Sequence, residues 1–128
     1  SPLWRSGGVT FPSSPAENFS KRMNKKMYKA AMQCIFSQLA REERLFIINE
    51  PSVAKPKTKE LIQELKGYKG ARRLIISRDI GDVLELASRN VRDLKILASG
   101  RVDPLSLLNA DFTYVSDKAL KNIEESLA

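Results

Sequence analysis

The sequence predicts an α/β protein of three layers, in which a mainly parallel, Rossmann-like sheet of about four strands lies between flanking helices. Four short segments rich in Ile, Leu and Val alternate with helical segments along most of the chain. This alternation implies crossover connections, which join parallel strands. The 128 residues are also enough for one compact domain with a single core.

The chain opens with an irregular segment, SPLWRSGGVTFPSSPAENFS, over residues 1–20. Three prolines, two adjacent glycines and five serines interrupt any helical or strand period in this segment. We therefore expect an extended, basic N-terminal arm over residues 1–20, followed by an α/β globular domain over residues 21–128.

A long helix is predicted from about residue 24 to residue 43, because apolar side chains recur there at helical spacing. The members of this apolar stripe are Met27, Ala31, Cys34, Ile35 and Leu39. The stripe makes Cys34 a small core residue rather than a reactive thiol.

The other elements follow from shorter patterns. Strands are predicted over residues 45–50, 73–77, 94–99 and 112–116, and helices over residues 57–67, 81–90, 104–110 and 117–128. Asp103 before Pro104 indicates a helix start, because a carboxylate can cap a helix whose first position is proline.

Composition excludes several kinds of chemistry. Without histidine, neither a Ser-His-Asp or Cys-His nucleophile nor a histidine-rich metal site can form. One cysteine excludes an internal disulfide and a multi-cysteine zinc site, and this cysteine usage is compatible with a reducing cytoplasm. No apolar run approaches the roughly 20 residues that cross a bilayer. We therefore predict no catalytic residue, no cofactor, no metal and no membrane partner.

A nucleotide-binding enzyme is the weaker alternative. Asp79 and Asp82 follow a predicted strand, where magnesium ligands or phospho-acceptors can lie. The glycine patterns GxGxxG and GxxxxGK[ST] are both missing, however. A helix cap and an acid in the first helical turn explain these two aspartates better.

Positive charge is concentrated at one end of the chain. The net charge is +7, and residues 1–29 hold six cations and one acid, whereas the other 99 residues hold 16 cations and 14 acids. The stretch KRMNKKMYK, residues 21–29, contains no acid and supplies five of those cations: Lys21, Arg22, Lys25, Lys26 and Lys29. Such a distribution is typical of a basic segment that binds a polyanion.

The basic stretch destabilises the helix that it begins. Cations four residues apart on a helix repel each other by about 0.2–0.5 kcal/mol per pair. A helix N-terminus also carries partial positive charge and favours acids instead. Phosphate groups would convert this repulsion into attraction, so the stretch predicts a polyanion partner.

The arm favours nucleic acid over a membrane surface, because its aromatic residues show no amphipathic period. These aromatic residues are Trp4, Phe11 and Phe19. Aromatic rings can stack on unpaired bases, Arg5 can bind phosphate through two hydrogen bonds, and Gly7 and Gly8 allow a close backbone approach. Phe11 and Phe19 could instead pack back onto the domain.

A second basic cluster, KPKTK, spans residues 55–59. Lys57, Thr58 and Lys59 would open a helix and could hold phosphate through side chains and helix N–H groups together. Simple solvent exposure explains these side chains nearly as well. Arg72, Arg73 and Arg78 would extend the basic surface further.

The sequence resembles one known family, bacterial ribosomal protein L-four of the large ribosomal subunit. The resemblance rests on SPLWRSGGVTFP (1–12), MNKKMYKAA (23–31), PKTK (56–59) and DPLSLLNADFTYVSDKALKNIEESLA (103–128). It implies an α/β domain on the subunit surface and an extension that penetrates ribosomal RNA. The matched positions that it implies as RNA contacts are Trp4, Arg5, Gly7, Gly8, Asn24, Lys25 and Lys26.

Members of this family normally begin with strands, a helix and an outgoing limb with a basic tip, none of which precedes Ser1. The resemblance therefore implies the C-terminal portion of such a protein, with residues 1–20 as the returning limb. No tunnel role follows for these residues, and the sheet could lack a strand.

We therefore expect a non-enzymatic structural constituent of the large subunit, located in cytoplasmic ribosomes. Its expected partners are large-subunit ribosomal RNA and neighbouring ribosomal proteins. The alternative is an RNA-binding regulator that acts off the ribosome on its own messenger, which would use the same basic surface.

Overall fold

A computed structural model describes residues 1–128 and shows a four-stranded sheet with five α-helices. The helices are α1 (Lys25–Arg41), α2 (Thr58–Glu64), α3 (Asp82–Ser88), α4 (Pro104–Asn109) and α5 (Asp117–Leu127), and the strands are β1 (Leu45–Ile48), β2 (Arg73–Ser77), β3 (Leu94–Ala98) and β4 (Phe112–Ser116). Short 3₁₀ turns follow α2 and β3. None of the helices has the length and apolar character that crossing a bilayer requires.

The four strands are all parallel and lie in the order β1-β4-β2-β3. β2 occupies an interior position between β4 and β3, whereas β1 lies at one edge and pairs only with β4. The predicted α/β class and the mainly parallel sheet are therefore confirmed.

Alternate residues of the interior strands supply two separate cores. On β2, Leu74 and Ile76 pack with Met32, Leu107 and Ile123, which belong to α1, α4 and α5. Ile75 points to the opposite face and packs with residues of α2 and α3. The sheet thus lies between a layer of three helices and a layer of two, because strand side chains alternate between its faces.

The buried side of α1 agrees with the predicted stripe at Ile35 and Leu39 but not at Met27, Ala31 and Cys34. Met32 and Leu39 are buried, with the half-buried Ile35 and Phe36 between them at helical spacing. Cys34 is exposed, so the prediction that it is a core residue is wrong. Both stripes satisfy a helical period, and only the packing of α1 against the sheet and α5 selects the one that starts at Met32.

Helix α4 begins at Pro104, with Asp103 in the cap position as predicted. The carboxylate lacks a well-formed capping hydrogen bond to the helix backbone. Hydrogen bonding from Ser106 nevertheless lowers the pKa of Asp103, and the positive charge of Lys95 lowers it further. The aspartate therefore stays ionised beside α4.

Ser116 joins β4 to α5, and its substitution tests the N-terminal cap of that helix. The buried Ser116 Oγ accepts a hydrogen bond of 3.3 Å from the backbone N–H of Ala119. Ser116→Ala should lower the free energy of unfolding by about 0.5–2 kcal/mol, because one N–H of the first turn loses its acceptor. Urea denaturation measures this loss. The exposed Ser126→Ala is the matched control, and an equal effect of the two substitutions would contradict the capping role.

Candidate nucleic-acid interface

The basic stretch of residues 21–29 is divided between the irregular segment and the first helix. Lys25, Lys26 and Lys29 lie in the first turns of α1, whereas Lys21 and Arg22 precede it. Among the cations spaced by four, only Lys25 and Lys29 therefore both lie in the helix. The spacing of four also suggested repulsion between Lys21 and Lys25 and between Arg22 and Lys26 along a helix. That interpretation is wrong, because the chain is not helical at Lys21 or Arg22.

None of the cations in residues 1–29 forms an ion pair with an acidic side chain. The four ion pairs of the protein are Glu42–Arg44, Arg78–Asp79, Arg92–Asp93 and Glu50–Lys118. Lys29 Nζ donates a hydrogen bond of 2.5 Å to the main-chain oxygen of Ala128. The first turn of α1 also contains no acid. No acidic side chain therefore compensates the positive charge at the start of α1.

The start of α1 also lacks a side-chain cap. Asn24 occupies the cap position with extended backbone angles, and its side chain makes no capping hydrogen bond. Its backbone oxygen accepts the first helical bond, 3.1 Å from the N–H of Tyr28. The first N–H groups of a helix need an external partner when no cap supplies one. An anion is well suited to this position, since the helix dipole and the nearby cations both favour it.

The arm is irregular and exposed, as its composition predicts. Residues 1–24 contain no helix or strand, and every side chain among them is exposed. The exposed fractions are 75% for Trp4, 91% for Phe11 and 80% for Phe19. The alternative in which the two phenylalanines pack back onto the domain is therefore wrong. All three rings are accessible to a planar ligand.

Two successive turns shape the first residues of the arm. The backbone N–H of Trp4 donates to the oxygen of Ser1 at 3.1 Å, and that of Gly7 donates to the oxygen of Trp4 at 2.9 Å. A Cβ atom at position 7 would lie 1.6 Å from the Ser1 oxygen, so the turn itself requires Gly7. Gly8 has only open space around its Cα. Arg5, between the turns, is exposed and forms no ion pair.

The second predicted cluster lies at the start of α2. Lys57 is the cap residue and Thr58 the first helical residue, with Lys59 beside it; both lysines are exposed. Because α1 and α2 cover opposite faces of the sheet, the structure does not bring this cluster beside Lys25 and Lys26.

Both clusters nevertheless lie toward the edge at which the strands end. Helix α2 follows β1, so its first turn belongs to that edge. The first half of α1 reaches the same edge, because Tyr28 and Met32 line a groove with Ser99 and Val102, which follow β3. This carboxyl edge of the sheet therefore carries basic residues on both faces.

The two aspartates of the enzyme alternative form no enclosed site. The Asp79 side chain is 93% exposed and lies 4.0 Å from Arg78. Gly81 is the cap residue of α3 and Asp82 is its first residue, as expected of an acid in a first helical turn. No group of three or more acids and cysteines is arranged to hold a metal ion.

Comparison with known proteins gives a consistent result over the whole chain. The profile of one family, described as the Ribosomal protein L4/L1 family, matches residues 1–126. Proteins named large ribosomal subunit protein uL4 are 46% identical in Saccharophagus degradans, 43% in Psychrobacter cryohalolentis and 44% in Nitrosomonas eutropha, over 127, 128 and 126 residues. The alignments cover 98–100% of this chain but only 61–64% of each relative. The chain thus spans less than two thirds of the length of these relatives.

Proposed function

Because this chain belongs to the ribosomal protein L4/L1 family, we propose that it is a structural component of the large ribosomal subunit that binds ribosomal RNA. Its expected location is the cytoplasmic ribosome, beside other large-subunit proteins. The arm and the start of α1 form the main contact, and Lys57, Thr58 and Lys59 add to it from the opposite face. The resemblance predicted from sequence motifs is confirmed at the level of the family.

The observation that carries this proposal is the positive charge at the start of α1, which no acidic side chain compensates. Six cations lie within residues 1–29, and no ion pair includes any of them. Side chains held this close are stabilised by a partner that brings closely spaced negative charge, as an RNA backbone does. Neutralising phosphates also releases their condensed counterions, which supplies most of the sequence-independent free energy of binding.

The remaining features of the surface also suit RNA. Trp4, Phe11 and Phe19 can stack on unpaired bases, since every base offers a flat face. The uncapped N–H groups at the start of α1 can donate hydrogen bonds to a phosphate oxygen, and the side-chain amide of Asn24 makes no competing capping bond. The matching family is one of ribosomal proteins, which favours this function over the nucleotide-binding enzyme built on Asp79 and Asp82.

The salt dependence of RNA binding tests the proposal directly. The variant replaces four lysines of the basic stretch: Lys21→Gln, Lys25→Gln, Lys26→Gln and Lys29→Gln. Each lost phosphate contact should flatten the slope of log K against log salt by about 0.7–0.9, so the full variant should flatten it by about 3. Filter binding to a large-subunit ribosomal RNA transcript, over a series of salt concentrations, measures this slope.

A variant with the same net charge controls for unspecific electrostatics. It carries Arg41→Gln, Arg89→Gln, Lys118→Gln and Lys121→Gln, four exposed positions outside the residues proposed as the contact. Its slope should stay close to that of the unmodified protein. Equal slopes for the two variants would rule out the basic stretch as the RNA contact.

A further inference from the structure

A second segment concentrates positive charge as strongly as the start of α1. Residues 66–73, KGYKGARR, hold four cations and no acid. Together with residues 1–29, this segment accounts for more than the whole net charge, because the other 91 residues hold 12 cations and 14 acids. Outside these two segments the protein is therefore slightly acidic. We call residues 66–73 the amino-edge loop, since they lead into the first residue of β2.

The amino-edge loop lies at the opposite end of the sheet from the start of α1. The backbone of Arg72 exchanges hydrogen bonds with Asp111, and Arg44 Nε donates to the Asp111 oxygen at 2.9 Å. Arg44 directly follows the turn at the end of α1. The 17 residues of α1 therefore separate the two basic regions by about 25 Å.

The loop is held in one conformation by aromatic packing. The ring of Tyr68 stacks on that of Tyr114 with a centroid distance of 4.5 Å, and the Tyr114 hydroxyl donates to the Lys69 oxygen at 2.9 Å. Gly70 has a φ of +97°, and a Cβ atom there would lie 2.5 Å from the ring of Phe112. A loop backbone braced by these contacts loses less conformational entropy on binding than an unrestrained loop would.

Three cations of the loop are free to contact a partner. Lys66, Lys69 and Arg72 are exposed, and none of them belongs to an ion pair. Arg73 is half-buried, and one of its guanidinium nitrogens donates to the Leu65 oxygen. The dipole of the preceding helix favours Lys66, which lies in its last turn. The dipole does not account for the positive charges of Lys69 and Arg72, because both residues lie beyond the turn.

We propose that the amino-edge loop is a second RNA-binding site, so that the protein bridges two separate stretches of RNA at opposite edges of its sheet. This inference rests on the proposed function and adds to it a contact and a geometry. Two sites about 25 Å apart engage different phosphate groups. The rigid α/β body then fixes the distance between the two RNA stretches.

The composition of the loop favours RNA over an acidic protein. The cores of protein interfaces are depleted in lysine and enriched in apolar and aromatic contacts. The only aromatic ring of the loop, that of Tyr68, is engaged with Tyr114. Exposed cations beside glycines suit phosphate oxygens, which need charge and close approach but no apolar surface.

Salt dependence and crosslinking test this inference together. The loop variant carries Lys66→Gln, Lys69→Gln and Arg72→Gln, and its charge-matched control carries Arg89→Gln, Lys118→Gln and Lys121→Gln. With the large-subunit RNA transcript, the loop variant should flatten the salt slope by about 2 while the control leaves it unchanged. In a Cys34→Ser background, photoreactive labels at Lys25→Cys and Lys69→Cys should crosslink to two separate RNA segments within reconstituted subunits.

The outcomes separate this inference from the proposed function. If only the four-lysine variant at the start of α1 flattens the slope, the proposed function stands and the second site is refuted. If both labels crosslink to one RNA segment, the bridging geometry is wrong. Crosslinks from position 69 to protein alone would assign the loop to an acidic protein instead, against our proposal. An unchanged slope for both basic variants would overturn both proposals.

Discussion

Deletion of residues 1–20 should weaken RNA binding strongly while leaving the thermal unfolding midpoint of the domain unchanged. Stacking of one base on an aromatic side chain contributes about 1–3 kcal/mol, which corresponds to a 5- to 150-fold change in affinity per base. The deletion removes Trp4, Phe11 and Phe19, all of which are exposed. Loss of even one stacked ring should therefore lower the affinity about fivefold or more.

The deletion is informative because it changes neither the net charge nor the core. Residues 1–20 contain one cation, Arg5, and one acid, Glu17. Their hydrogen bonds stay within the arm, as in the bonds of Trp4 to Ser1 and of Gly7 to Trp4. The salt slope should therefore fall by no more than the contribution of one cation, about 0.7–0.9.

Filter binding at one fixed salt concentration and calorimetric unfolding are the two measurements. The triple substitution Trp4→Ala, Phe11→Ala and Phe19→Ala provides a version that keeps the length of the arm. If the deletion lowers affinity and this triple variant does not, stacking is not the mechanism. If the deletion leaves the affinity unchanged, the arm does not contact RNA in this complex.

The substitution Ile75→Ala should lower the free energy of unfolding by about 2–5 kcal/mol. Ile75 lies at the centre of β2, is 0% exposed and packs against α2 and α3. Its truncation removes buried apolar surface and leaves a cavity that the fixed strands on both sides cannot close. Because a domain of this size is stable by only about 5–15 kcal/mol, this loss would be a large part of the total.

Ile47→Ala is the matched control for this experiment. Ile47 has the same side chain and also lies on a strand, but β1 is an edge strand and the residue is 58% exposed. Its truncation should cost less than about 1 kcal/mol, since little apolar surface leaves water there on folding. Urea denaturation of both variants gives the comparison. Equal losses would contradict the position of β2 in the interior of the sheet.

The local pattern of the chain predicted its elements well. All four strands lie within the predicted ranges, because each is a short run of branched apolar residues between turn signals. The order of the strands could not be predicted. The sequence does not show that Leu45 pairs with Thr113, 68 positions later, since that pairing depends on which helices cover which face.

The helical face of α1 shows the limit of periodicity as evidence. Met27, Ala31 and Cys34 fit a helical stripe as well as Met32 and Phe36 do. The first half of α1 extends to the carboxyl edge of the sheet, and Met27 there is 60% exposed. Apolar spacing therefore identified the helix, but it identified only part of the side that packs against the core.

The candidate site was predictable in charge but not in shape. The run of cations at residues 21–29 was evident from composition, and the structure adds that no acidic side chain pairs with them. The need for Gly7 in a turn depends on the position of the Ser1 oxygen, which the sequence does not reveal. The acid-free run that contains Lys66 and Lys69 is evident in the sequence. Its position at the opposite end of the sheet from the start of α1 is known only from the structure.

The edge position of β1 has a consequence for the order in which the molecule is completed. β1 follows α1, the helix whose first turns carry part of the basic stretch, and its only partner is β4, the last strand along the chain. During synthesis from the N-terminus, β1 must therefore wait for more than sixty further residues before its partner strand exists. The lysines at the start of α1 are thus synthesised, and open to a binding partner, before the sheet is complete.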